Sequence, residues 1–281
     1  MTGVQTCALP ICISDATNVI TLDTTGVSDT VGNAGVGTTD SNNYAVDTVR
    51  PTVVVSLSDT SLVAGETSLV IMAFSEAVTG FDNADLTIAN GTLSAVATAD
   101  GGVTWTATFT PTAELIDATN VINLDVTGVS DAAGNAGVGT SNSSNYTINT
   151  VRPTAGIVVT DTSLIVGETS LVTITFSEAV TGFSNADLTI ASGTLSAVAT
   201  TDGGITWTAT FTPTASISDA TNVITLQNDG VLNTAGNAGV GTTDSNNYAV
   251  DTVRPTATIL VADTSLIIGE TSLVTITFSE T

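Results

Sequence analysis

The chain has 281 residues, 27 of them Asp or Glu and only three Arg, with no Lys and no His, for a formal net charge of −24. That balance argues against nucleic acid and anionic membranes as partners, and 42% hydrophobic against 11% charged residues marks a chain that can bury a core. No run approaches the ~18 apolar residues of a membrane-spanning helix, so direct membrane insertion is not expected.

Residues 1–12 stand apart from everything that follows, and both cysteines, Cys7 and Cys12, fall among them. Residues 1–11 lack the basic start and long apolar core of a signal peptide. They resemble the translation of a common sequencing-adapter primer read from a GTG start, and are set aside as non-native. From Ile13 onward the chain repeats. Arg50, Arg152 and Arg254 sit in the phrases Asp47-Thr-Val-Arg-Pro51, Asn149-Thr-Val-Arg-Pro153 and Asp251-Thr-Val-Arg-Pro255; 152 − 50 and 254 − 152 both give a period of 102. A period near 100 residues exceeds that of solenoids and propellers, so each copy is long enough to be a domain. The expected organisation is a partial repeat at 13–48 (C-terminal strands), full repeats at 49–150 and 151–252, and a partial repeat at 253–281 (N-terminal strands). On this reading the sequence is a piece of a longer protein, and neither partial repeat closes a sandwich alone.

Within one repeat, strands are expected at 52–58, 67–74, 84–89, 92–98, 103–110, 119–125 and 144–150. Comparing copies shows which face is buried, because Thr67-Ser-Leu-Val-Ile-Met-Ala-Phe74 becomes Thr169-Ser-Leu-Val-Thr-Ile-Thr-Phe176, which alternates cleanly. Val70, Met72 and Phe74 are predicted to face inward. So are Val103, Trp105, Ala107 and Phe109, with threonines opposite, and then Val121, Ile122, Leu124, Tyr146 and Ile148. Turn signals at Ala64-Gly65, Asn90-Gly91, Asp100-Gly-Gly102, Pro111 and Ala133-Gly-Asn-Ala-Gly137 separate the strands. About seven short strands in roughly 100 residues is the pattern of an immunoglobulin-like sandwich. The fold class expected is therefore all-β, tandem Ig-like β-sandwiches.

The motifs also carry a resemblance. Gly65-Glu-Thr, Phe74-Ser-Glu-Ala-Val-Thr-Gly-Phe81, Ala84-Asp-Leu-Thr87, Asp100-Gly-Gly-Val-Thr-Trp-Thr-Ala-Thr-Phe109 and Ala118-Thr-Asn-Val-Ile122 resemble the bacterial Ig-like repeats of large secreted, RTX or biofilm-type surface adhesins, from about Ile13 to the end. The resemblance implies an extracellular, disulfide-free stalk that extends a binding domain away from the cell, often with Ca2+ near domain junctions. The implied partners are neighbouring repeats of the same chain, with any receptor bound by regions outside this sequence. A ligand-binding module that contacts a glycan or another surface is the alternative; exposed aromatics varying among copies would favour it.

Catalysis has little to work with. Without His, Lys or a repeat cysteine, the usual bases, Schiff-base amines and thiol nucleophiles are missing, so the chain is read as non-enzymatic. Soft metal sites are disfavoured for the same reason, which leaves oxygen ligation of a hard cation, Ca2+. Sandwich topology gathers Glu76, Asp82, Asp85, Asp100, Asp131 and Asn135 at the entrance of a repeat, and Asp59, Glu66 and Asp117 at its exit. The candidate Ca2+ ligands are Asp59, Glu66, Glu76, Asp85, Asp100 and Asp117 with their copies Asp161, Glu168, Glu178, Asp187, Asp202 and Asp219. At the junction of two repeats the exit set is expected to approach Glu178, Asp187 and Asp202. The competing reading is that loop carboxylates are solvated turn formers. Asp82 and Asp131 carry less weight because their copies are Ser184 and Asn233. The linker arginines are expected to bind the carboxylates of the acidic junction, or to pair with one nearby acid. Trp105, Trp207, Tyr44, Tyr146 and Tyr248 read as core.

Overall fold

The computed structural model describes residues 13–280 and divides into two compact units, Met1–Thr150 and Val151–Thr281. The adapter-like residues 1–12 lie outside the described residues. Each unit holds one complete repeat built as two facing sheets, so the expected sandwich is present.

In the first repeat, one sheet runs Gly91–Leu93, Thr104–Pro111, Ser68–Phe74, Val53–Leu57, all antiparallel, with Ala97–Thr98 also paired to Thr104–Pro111. Its register puts Trp105 opposite Met72 and Ala107 opposite Val70. Apolar side chains therefore line one face and threonines the other, as a period of two requires. The facing layer contains Leu86–Ile88, Ile122–Asp125 and Thr140–Asn142. It also contains Ile116–Asn120, Tyr146–Asn149 and Ser61–Val63, the last pair parallel. Val70, Met72, Phe109, Ile122, Leu124 and Tyr146 are fully buried between the layers. Phe109 meets Tyr146 edge-on at 5.2 Å, and Phe211 meets Tyr248 at 4.9 Å in the second repeat. Such a pair adds about 0.5–1.5 kcal/mol beyond the area it buries. Gly91 is required here, because a Cβ would run into the Phe109 ring.

Three details depart from the sequence reading. The expected 119–125 strand is two strands, Ile116–Asn120 and Ile122–Asp125, with a register shift between Asp117 and Asn120. Asn120 turns inward and donates to the Asp117 and Tyr146 carbonyls, so Val121 is turned outward rather than into the core. The expected 92–98 strand likewise breaks into Gly91–Leu93 and Ala97–Thr98. Trp105 is half-buried at one end of the sandwich, packed edge-on against Phe81 with its indole N–H on the Gly102 carbonyl.

Among the described residues the partial repeats make two-stranded sheets, Ser14–Asn18 with Tyr44–Asp47, Thr21–Asp23 with Thr38–Asp40, and Ala257–Val261 with Val274–Phe278. Tyr44 is 43% exposed where its copy Tyr146 is 0% exposed.

Candidate functional site

The entrance of a complete repeat is built from the linker and three loops. Ser130–Asp131 pairs with Val78–Thr79, two residues beyond Glu76, and so carries the 131–137 loop to the Glu76 loop. Gly102, at φ +103, lets the third loop close over Val78. Asp131 shapes its own loop by accepting from the Asn135 backbone N–H and from its amide, both at 2.8 Å. The same Asn135 amide donates to the Asp47 carbonyl at 3.2 Å, tying the end of the preceding strand to the loop.

Among the described residues, two of the linker arginines, Arg50 and Arg152, donate to backbone carbonyls rather than to a carboxylate. The Arg50 guanidinium donates to the Ala136 carbonyl at 2.5 Å, and Arg152 donates to Ala238 at 2.7 Å in the second repeat. The expected carboxylate pairing is therefore replaced by a clasp of linker on loop. Pro51 and Pro153 keep the preceding residue extended, which suits an arginine reaching sideways to a backbone acceptor.

Asp47, Glu76 and Asp131 come together at this entrance, one carboxylate oxygen of each lying within 4.8 Å of the others. Asp131 is 4% exposed, and the other two are half-buried. Burial first, then the Asp131 and Asp47 charges, push the Glu76 carboxyl above its ordinary value. Hydrogen bonds, chiefly from the Asn135 side chain, hold Asp131 below its own. Two unit charges 4 Å apart repel by ~1 kcal/mol in water and ~4 kcal/mol at an effective dielectric near 20. The linker arginine of this repeat is engaged on the Ala136 carbonyl instead. Asp131 already accepts from Asn135 at both oxygens and Asp47 from Val49 N–H at 3.1 Å; the three carboxylates are hard oxygen donors of the kind Ca2+ takes, with carbonyls and water completing six to eight ligands.

Other sequence-predicted ligands cap local backbone. Asp59 accepts from Ser61 N–H at 2.9 Å and Glu66 from Val63 N–H at 3.0 Å. Asp85 closes a capping box on Asp82 at 2.9 Å. Asp100 accepts from Thr104 N–H at 2.8 Å, and bonds from Thr104 and its neighbours hold the carboxyl down at about 2. Asp117 accepts from Thr119 N–H at 2.9 Å and from the Asn90 amide at 2.7 Å. Copies do the same: Asp161 with Ser163, Glu168 with Ile165, Asp187 with Ser184, Asp202 with Thr206 and Asp219 with Thr221. Among the predicted ligands, Glu76 alone belongs to the three-acid group. Asp47 is absent from the predicted set, and Asp131 carries less weight in it. One signal was available: Asp47 and Asp131 change together, to Asn149 and Asn233.

The second repeat differs at that point. Asn233 donates to the Val151 carbonyl at 3.0 Å and to Glu178 at 3.1 Å, where the first repeat has Asp131 beside Glu76.

Comparison with known proteins gives three consecutive matches, at residues 47–148, 149–250 and 251–281, to a family model described as a bacterial Ig-like domain. No curated protein matches the chain. Among solved structures, FdeC, described as a broadly conserved Escherichia coli adhesin, is 16% identical over 80% of this chain and 72% of its own, with a TM-score of 0.27. The I9–I11 tandem of titin is 8% identical over 71% and 66%, with a TM-score of 0.23.

Proposed function

The chain belongs to the bacterial Ig-like domain family, and from that premise we propose that it is part of the stalk of an extracellular adhesin, whose repeats extend a binding region outside this sequence away from the cell. One observation carries the reading: in both complete repeats the linker arginine is fastened to a loop of the repeat it enters. A stalk needs its connections held, and this clasp recurs with the 102-residue period. The complete repeats also bury their aromatic rings in the core or half-bury them at its end, which leaves the glycan-contacting alternative without an exposed ring to offer.

Ca2+ is the proposed stiffening ion of the first entrance, held by Asp47, Glu76 and Asp131. Bound there, it supplies positive charge between three carboxylates. The protein's own part is to gather them: Asn135 orients Asp131 and holds the Asp47 carbonyl, while the 78–79 to 130–131 pairing sets Glu76 alongside.

The test uses the full chain, with calorimetry and small-angle scattering in CaCl2 and in chelator. At 100 times Kd a single site stabilises by about 2.7 kcal/mol, so a higher melting temperature and reduced interdomain flexibility are expected with Ca2+. Superimposable melting and scattering curves in the two buffers would end the Ca2+ reading.

A further inference from the structure

We infer that Asn233 is a built-in substitute for a bound cation, closing the entrance of repeat 151–252 onto its linker without any ion. For the contrast with repeat 49–150 the inference rests on the Ca2+ reading above; for repeat 151–252 it stands on hydrogen bonds within that repeat.

Asn233 is 2% exposed, and every bonding capacity of its amide is used. The N–H2 group donates to the Val151 carbonyl of the linker at 3.0 Å and to the Glu178 carboxylate at 3.1 Å. The side-chain carbonyl accepts from Ala235 N–H at 3.1 Å and Asn237 N–H at 2.9 Å. One buried side chain thus joins linker, Glu178 loop and its own loop. Asp131 is its copy in the first repeat. An ionised carboxylate only accepts, so Asp131 can organise its loop through Asn135 but has no proton to offer Glu76 or the linker. The linker side keeps the Asn135 amide as donor to the Asp47 carbonyl, so the donor to the Glu76 carboxylate is what a cation would replace.

The linker position changes in the same direction, Asp47 to Asn149. Three formal negative charges at the first entrance therefore correspond to one, Glu178, among the matching residues of the second. At the position where the second repeat has the Asn233 amide bonded to Glu178, the first has the Asp131 carboxylate beside Glu76. Adjacent repeats of nearly identical sequence then differ in kind, one responsive to divalent cation and the other permanently closed.

Trp105 and Trp207 are the only tryptophans, one in each complete repeat. In the full chain, W207F leaves Trp105 to report the first repeat and W105F leaves Trp207 to report the second. Thermal unfolding followed by the remaining tryptophan, in millimolar CaCl2 and in excess EDTA, separates the two. The Trp207 transition is expected to coincide in both buffers. N233D, made in the W105F chain, is expected to lower it by roughly 5–10 °C in EDTA and to regain much of that in CaCl2. N233A, which removes the amide without adding charge, is expected to lower it with no recovery in CaCl2, and keeps the test open should N233D fail to fold. A native Trp207 transition that rises with CaCl2, or an N233A transition unchanged in EDTA, overturns the inference. A Trp105 transition indifferent to CaCl2 overturns the Ca2+ reading of the first entrance instead, and leaves Asn233 to be judged on the Trp207 results.

Discussion

Asn90 shows how much one side chain can settle. It sits in the left-handed region at φ +59, where Asn is tolerated better than most residues. From there its amide donates to Asp117 at 2.7 Å and to the Asn120 side-chain carbonyl at 2.8 Å. In the second repeat the position is Ser192, at φ +54, and the Asn222 carbonyl oxygen is buried without a hydrogen-bond partner. An unsatisfied buried acceptor costs on the order of 1–3 kcal/mol. S192N is therefore expected to stabilise the second repeat by about 1 kcal/mol, read as a higher Trp207-monitored midpoint in the W105F chain. The reverse change, N90S, should destabilise the first repeat by a similar amount. If S192N left the midpoint where it was, Asn222 would have to be satisfied by some other group. The Asn90 to Ser192 difference is visible in the sequence, but its consequence is not: only the fold shows that residues 90, 117 and 120 converge.

At the scale of strands and loops, period-two alternation made the core legible, and comparing copies removed the ambiguity of Ser68–Phe74. Side-chain orientation failed at Val121 because an inward polar residue, Asn120, interrupts the strand, and alternation cannot foresee a break made by a buried amide. The loop carboxylates were legible as a set but not by role. Most answer the turn-forming demand of their own loop, while the three that converge are 84 residues apart at the extremes, Asp47 to Asp131. Asp100 and Glu76, one from each set, respond oppositely to pH. Asp100 is lowered from 3.8 to about 2, so its stabilisation is present above 3.8 and fades as pH falls toward 2. Glu76 is raised above 4.5, so its contribution is fully present below 4.5 and is lost as pH rises through its folded value. In EDTA the Trp105 midpoint should therefore fall as pH is raised from 4.5 through that value, and E76Q should remove this slope while sparing the loss near pH 2–3.8. A slope that survives E76Q would locate the proton elsewhere.

For the whole molecule, a net charge of −24 raises a simpler account of any cation effect: salt of any kind relieves general repulsion. The geometry separates the two. At 0.15 M ionic strength the screening length is about 8 Å, longer than the 4.8 Å within which the Asp47, Glu76 and Asp131 oxygens lie. Mobile Na+ therefore screens the dispersed surface charge of both repeats but does little inside that group, where an ion has to be held. Titrating NaCl at constant EDTA is expected to move the Trp105 and Trp207 midpoints together and by a small amount. CaCl2 added afterwards, at a concentration too low to alter ionic strength appreciably, is expected to raise the Trp105 midpoint alone. D47N/D131N, which gives the first entrance the amide residues of the second, should abolish that selective rise while leaving the common response to NaCl. Were NaCl by itself to reproduce the full effect of CaCl2 on Trp105, general charge screening would suffice and the three-carboxylate entrance would need no bound ion.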